Sequence, residues 1–137
     1  MTLRRVVASG TAALALVAGI SVGAAGTASA AQTGGGCVYH DKDGFSVRTC
    51  IDGDGAGGIW ADVQTYGSNN TSINMCVEIV DSNQNLVPGS RNCQIVNGSS
   101  SDTGTNIVFP GSGTYYGVSY FTSPTYWYGG ESPSISI

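Results

Sequence analysis

Residues 37–50 read CVYHDKDGFSVRTC, with Asp43-Gly44 at the centre and six residues on either side. Asp-Gly is the strongest short signal for a two-residue type I′ hairpin turn, because both central residues take φ > 0. A turn there pairs Lys42 with Phe45, Asp41 with Ser46, His40 with Val47, Tyr39 with Arg48 and Val38 with Thr49, and it brings Cys37 opposite Cys50. Counted outward from a hydrogen-bonded Lys42:Phe45 pair, the cysteines fall on a non-hydrogen-bonded pair. Strands approach most closely there, at about 4.5 Å between Cα atoms, which is within reach of a disulfide. The stretch predicts an antiparallel, oxidised, stapled β protein.

The rest of the chain follows the same pattern. Strands are expected near 37–42, 45–51, 58–66, 73–80, 86–88, 92–96, 105–109, 114–122, 125–128 and 133–137, separated by Gly-, Pro- and Asn-rich turns. Short strands at such intervals are the signature of a sandwich or small barrel. No stretch of helical length carries apolar residues at helical spacing. The predicted fold is a single antiparallel β-sandwich, immunoglobulin-like, with two hairpin disulfides. Four cysteines allow three pairings. Cys37–Cys50 with Cys76–Cys93 is favoured, the second pair enclosing the turn signals Asp81–Asn85 and Pro88-Gly89. The spacings are too wide for the ligand pairs of a zinc site.

Alternation assigns faces. Val38, Phe45, Val47, His40 and Thr49 share the expected core face of the first hairpin. Ile59, Ala61 and Val63 oppose Trp60, Asp62, Gln64 and Tyr66. Ile73, Met75, Val77 and Ile79 form an inward row, and Val108, Tyr116, Val118, Tyr120, Ile135 and Ile137 are further core candidates.

Residues 1–30 read as an export signal. Arg4-Arg5 supply the charge, Ala12–Ile20 the apolar run, and Ala28-Ser29-Ala30 an A-x-A cleavage site. Residues 31–36 are then a flexible arm and residues 37–137 the domain. Export implies an extracellular location and leaves three basic residues, Lys42, Arg48 and Arg91, against nine acidic ones, a net charge of −6. That balance argues against nucleic acid, which needs a basic patch. The apolar run is too short for a membrane span.

No catalytic set is visible. His40 is the one histidine, no G-x-S-x-G elbow presents a serine, and pairing consumes all four cysteines. The expectation is a protein that is not an enzyme and needs no cofactor or metal. Asp52-Gly53-Asp54-Gly55 holds carboxylates on a Gly-rich loop, which invites a calcium reading. Asp and Gly are also preferred turn residues in their own right, and the spacing is not that of an EF-hand.

The most suggestive feature is the aromatic run TYYGVSYFTSPTYWYGGE, residues 114–131. Alternation sends Tyr116 and Tyr120 to one face and Tyr115 and Phe121 to the other, with Tyr126 and Tyr128 opposing Trp127. Tyr and Trp are large, rigid and amphipathic, and are enriched in binding surfaces. The predicted partner-binding residues are Tyr115, Tyr120, Phe121, Tyr126, Trp127 and Tyr128, joined by Trp60 and Tyr66. The expected partner is a secreted or cell-surface protein, with a polysaccharide or the cell wall, bound through exposed Trp and Tyr, as the alternative.

The plan resembles the small secreted two-disulfide β-sandwich proteins of Gram-positive bacteria. The likeness rests on the Ala/Gly-rich signal ending in Ala28-Ser29-Ala30, a domain near one hundred residues and two short-range disulfides. That company includes proteinaceous inhibitors of hydrolases, small-ligand carriers and adaptor subunits of secreted toxin particles. The resemblance implies a non-catalytic binding protein acting as adaptor or inhibitor.

Overall fold

A computed structural model describes residues 31–42, 45–67, 72–97 and 100–137. Residues 1–30, read as an export signal, and the expected turn at Asp43-Gly44 lie outside the described residues. Ten strands are present: β1 (Thr33–Gly34), β2 (Gly36–Lys42), β3 (Phe45–Gly53), β4 (Ile59–Gly67), β5 (Ser72–Asp81), β6 (Asn92–Asn97), β7 (Ser100–Gly104), β8 (Thr114–Ser123), β9 (Trp127–Glu131) and β10 (Ile135–Ser136). They form two antiparallel sheets. The four-stranded sheet runs β2-β3-β4-β7. The six-stranded sheet runs β1-β10-β8-β5-β6, with β9 also paired to β8. No helix occurs among the described residues, and none is long and apolar enough to cross a membrane.

The first hairpin has the expected register pair for pair, from Gly36↔Ile51 to Lys42↔Phe45. Cys37–Cys50 and Cys76–Cys93 are both disulfides, each joining directly opposed residues of a strand pair at a Cα separation of 4.0 Å. Two structural disulfides are typical of extracellular proteins. The second pair closes the β5–β6 connection, which is held from within. The buried Ser90 hydroxyl accepts from the Ile79 amide at 3.0 Å and donates to the Val87 carbonyl at 2.7 Å.

The core lies between the sheets. Val47, Ile51, Ile59, Ala61 and Val63 of the smaller sheet face Ile73, Met75, Val77, Ile79, Tyr115, Phe121 and Ile135 of the larger. Val108 and Ile137 pack against this cluster from its margin.

In β8 the faces are the reverse of those expected: Tyr116 and Tyr120 are half-buried on the outer face, and Val118, on that face too, is nevertheless buried at 8% exposure. The inward row is Tyr115, Gly117, Ser119 and Phe121. A Cβ on Gly117 would lie 2.7 Å from the Cys50 carbonyl oxygen and 2.9 Å from the Ala61 Cβ in the facing sheet. Two residues on, the Ser119 and Thr49 hydroxyls meet at 2.7 Å across the buried interface. Small side chains are needed where the sheets come this close, so the bulk of β8 points outward.

Three segments depart from the expected strands. Residues 100–104, expected as a loop, form edge strand β7 against β4. Residues 105–109, expected as a strand, cross between the sheets and contribute a single bridge, Ile59↔Val108. Residues 86–88 likewise contribute only the bridge Val80↔Leu86. The arm is ordered: Thr33 and Gly34 pair with Ser136 and Ile135. Gly34 has φ +90°, and a Cβ there would lie 2.5 Å from the Ser134 carbonyl oxygen. The glycines of this arm permit a specific path along β10 rather than freedom.

Gly117→Ala is expected to destabilise the fold by about 1–3 kcal/mol, the usual cost of overpacking. Gly104→Ala, where a Cβ meets nothing closer than 3.6 Å, is expected to be neutral. Urea unfolding followed by tryptophan fluorescence checks both.

Candidate functional site

Strand β8 carries Tyr116, Val118 and Tyr120 on the outer face of the six-stranded sheet. The chain reverses at Ser123-Pro124, a cis peptide, and β9 returns Tyr128 directly opposite Tyr120. Tyr126, in the connection, places its ring centroid 6.1 Å from that of Tyr120 at an interplanar angle of 33°. Three tyrosines therefore gather on one surface. Tyr126 is 69% exposed, Tyr128 48% exposed and Tyr120 half-buried.

Polar neighbours hold this cluster in place. The Tyr120 hydroxyl donates to Glu78 Oε2 at 3.1 Å, and Arg91 Nε donates to the same oxygen at 2.6 Å. Gln84 Nε2 donates to Glu131 Oε2 at 3.2 Å from the β5–β6 turn. Burial, reinforced by the Glu78 charge and opposed by Arg91, raises the Tyr120 hydroxyl above its usual value. Burial, with Glu131 and Tyr126, does the same for Tyr128. Both hydroxyls stay protonated at neutral pH and can donate as well as accept.

The other predicted binding residues fall elsewhere. Tyr115, 7% exposed, and Phe121, 2% exposed, are core residues. Neither is available to a partner on the surface. The Tyr115 hydroxyl reaches the Gly111 carbonyl at 3.2 Å. Trp127 is half-buried at the core margin, its ring stacked on Phe121 with centroids 4.8 Å apart. Trp60 and Tyr66 sit on the outer face of the four-stranded sheet, in the opposite layer from the tyrosine cluster. The eight residues thus divide among two outer faces and the interior.

The face bearing Trp60 and Tyr66 also carries residues not singled out from the sequence as ligands. Tyr39 is 63% exposed. Arg48 Nε donates to Cys37 Sγ at 3.2 Å and to Cys50 Sγ at 3.0 Å. Gln64 Nε2 donates to Asp102 Oδ2 at 3.3 Å, and the Tyr66 hydroxyl donates to Gln64 Oε1. The buried Oδ2 of Asp62 has no hydrogen-bond partner. Strict alternation through residues 59–66 was the signal that placed Asp62 and Gln64 beside the aromatics.

The remaining sequence candidates have structural roles. Asp54 Oδ1 accepts from the Ala56 amide at 2.7 Å and the Gly58 amide at 2.9 Å, closing the β3–β4 turn. Asp52 Oδ1 accepts from the Gly53 amide at 2.8 Å. Among the described residues no three His, Cys, Asp or Glu groups cluster to hold a metal ion. His40 packs against Gly130 of β9. At the far end of the sandwich, Leu86, Pro88, Val108, Phe109 and Pro110 line an open cleft of about 400 Å³. Its one carboxylate, Asp81, is engaged by the Asn83 and Asn85 amides and the Asn85 side chain.

Comparison with known protein families, with curated proteins and with solved structures finds no match. The functional reading therefore rests on this chain's own residues.

Burial, followed by the Asp102 charge, raises the Asp62 carboxyl above its usual 3.8, against the opposing pull of Arg48. The folded state holds this proton more tightly than the unfolded chain does. The resulting stability is fully present below 3.8 and is lost as pH climbs through the raised folded value. Asp62→Asn removes that dependence, so its stability relative to the native chain should rise with pH across the acid range. Urea midpoints at a series of pH values measure this, and parallel curves would count against it.

Proposed function

We propose that the chain is a secreted, non-catalytic binding module that docks another extracellular protein, as adaptor or inhibitor, through the tyrosine face of the six-stranded sheet. The observation that carries this reading is the grouping of Tyr120, Tyr126 and Tyr128 on one surface, anchored by the Glu78–Arg91 pair. Tyrosines held on paired strands lose little conformational freedom on binding, while their rings supply apolar area and their hydroxyls hydrogen bonds. Ile95, 77% exposed on the same sheet, adds an aliphatic component of the kind protein interfaces use at their centres.

Other features support the same reading. The two disulfides fit an oxidising extracellular setting, and the signal-like first thirty residues fit export. The lone histidine packs against Gly130, remote in role from any nucleophile–base pair. Rigid scaffolds with exposed aromatic anchors suit stoichiometric recognition rather than turnover.

Tagged native protein and a Tyr126→Ala/Tyr128→Ala variant, each incubated with the producing culture's supernatant, test the proposal. The native protein is expected to retain one partner near stoichiometry. The variant should lose it by roughly 2–4 kcal/mol, the cost of removing interface anchors, with unchanged unfolding. Equal retention by both would refute the site, and no retained partner would refute the function. If the retained chain is a hydrolase whose activity falls on binding, the role is inhibition; otherwise it is adaptation.

A further inference from the structure

The two outer faces differ in chemistry. The six-stranded sheet exposes Ile95 beside its tyrosines, with Val80 and Val118 on the same face but buried. Among the described residues of the four-stranded sheet no aliphatic side chain points outward. Apart from the Cys37–Cys50 disulfide and Gly104, each described outward residue of β2, β3, β4 and β7 is aromatic or carries a hydrogen-bonding group. Its spine is the β4 row Trp60, Asp62, Gln64 and Tyr66, with the two aromatics at the ends roughly 20 Å apart.

Three observations narrow the ligand. First, a surface with rings at its ends and only polar groups between them has no apolar centre of the kind a protein interface buries. Second, Arg48 stands against four carboxylates, Asp41, Asp52, Asp62 and Asp102, so polyanions are repelled. Third, hydrogen-bonding capacity is concentrated beside a depression. Gln64, Tyr66, Ser100 and Asp102 line a hollow of about 250 Å³ at the β4–β7 edge. Aromatic rings offer faces to the C–H side of a pyranose, while amide and carboxylate groups bind its hydroxyls.

The geometry points to the outer face of the four-stranded sheet as a binding site for a neutral oligosaccharide lying along β4, with Trp60 and Tyr66 under its sugar rings and Gln64 and Asp102 on its hydroxyls. This site is separate from the tyrosine face, and neither depends on the other. The Cys37–Cys50 disulfide, with Arg48 Nε donating to both sulfurs, braces the platform.

Affinity electrophoresis through gels containing hydroxyethylcellulose, xylan or mixed-linkage glucan tests the assignment, with polygalacturonate as the anionic comparison. The expected result is retardation by at least one neutral polymer and none by polygalacturonate. Tyr66→Ala and Gln64→Ala should each weaken the retarding interaction by roughly tenfold, with the near-UV circular dichroism of the fold retained. Tyr126→Ala/Tyr128→Ala should leave it unchanged. Passage through all three neutral gels without retardation, retardation by polygalacturonate, or retardation untouched by both Tyr66→Ala and Gln64→Ala would overturn the proposal.

Discussion

The close approach of the two sheets at Gly117 governs the rest of the molecule. With the Cys50 carbonyl and Ala61 pressed against that position and the Thr49 and Ser119 hydroxyls bonded beside it, the middle of β8 has no room for a large inward side chain. Tyr115 and Phe121 fill the wider ends of the inward row. Tyr116, Val118 and Tyr120 are displaced to the outer face. The surface tyrosines are thus a consequence of how tightly the core is closed, since interiors pack to crystal-like density and cannot absorb extra volume cheaply.

The two disulfides divide the mechanical work between the layers. Cys37–Cys50 staples β2 to β3 in the smaller sheet, and Cys76–Cys93 staples β5 to β6 in the larger. Both join strands on the outer faces, so each layer is braced beneath its exposed aromatics. A small domain has limited surface to bury, and bridges of this kind commonly supplement its core. The result is two rigid, chemically distinct platforms back to back. One combines tyrosine with aliphatic surface. The other combines aromatic rings with amide and carboxylate groups.

Much of the fold could be read from the sequence where local and tertiary preferences agree. The Asp43-Gly44 signal gave the register of the first hairpin and its disulfide, and clean alternation placed both faces of β4 and the inward row of β5. In β8 the preferences conflict. Tyr-Val-Tyr looks more apolar than Tyr-Gly-Ser-Phe, yet the inward requirement was for small size, which depends on the facing sheet and leaves no mark in β8 alone. Ser100–Gly104 resembles a loop because an edge strand buries only Thr103 and is held by backbone pairing. Thr105–Phe109 has strand composition but lies where the chain must cross between layers. On the tyrosine face, the shared side of Tyr126 and Tyr128 opposite Trp127 was legible; the outward turn of Tyr120, expected also as a core residue, was not. The separation of Trp60 and Tyr66 onto the opposite layer was not, because it depends on which sheet each strand joins.

Nitration by tetranitromethane, with the modified tyrosines mapped by mass spectrometry over time, tests the central claim that β8 turns Tyr116 and Tyr120 outward and Tyr115 inward, around the small inward residues Gly117 and Ser119. Tyr126 and Tyr128 should be modified early in the isolated, oxidised protein, and Tyr115 should resist until the chain unfolds. Nitration of Tyr115 on the same time course as Tyr126, with Tyr128 protected, would contradict this orientation of β8 and the tyrosine face built on it.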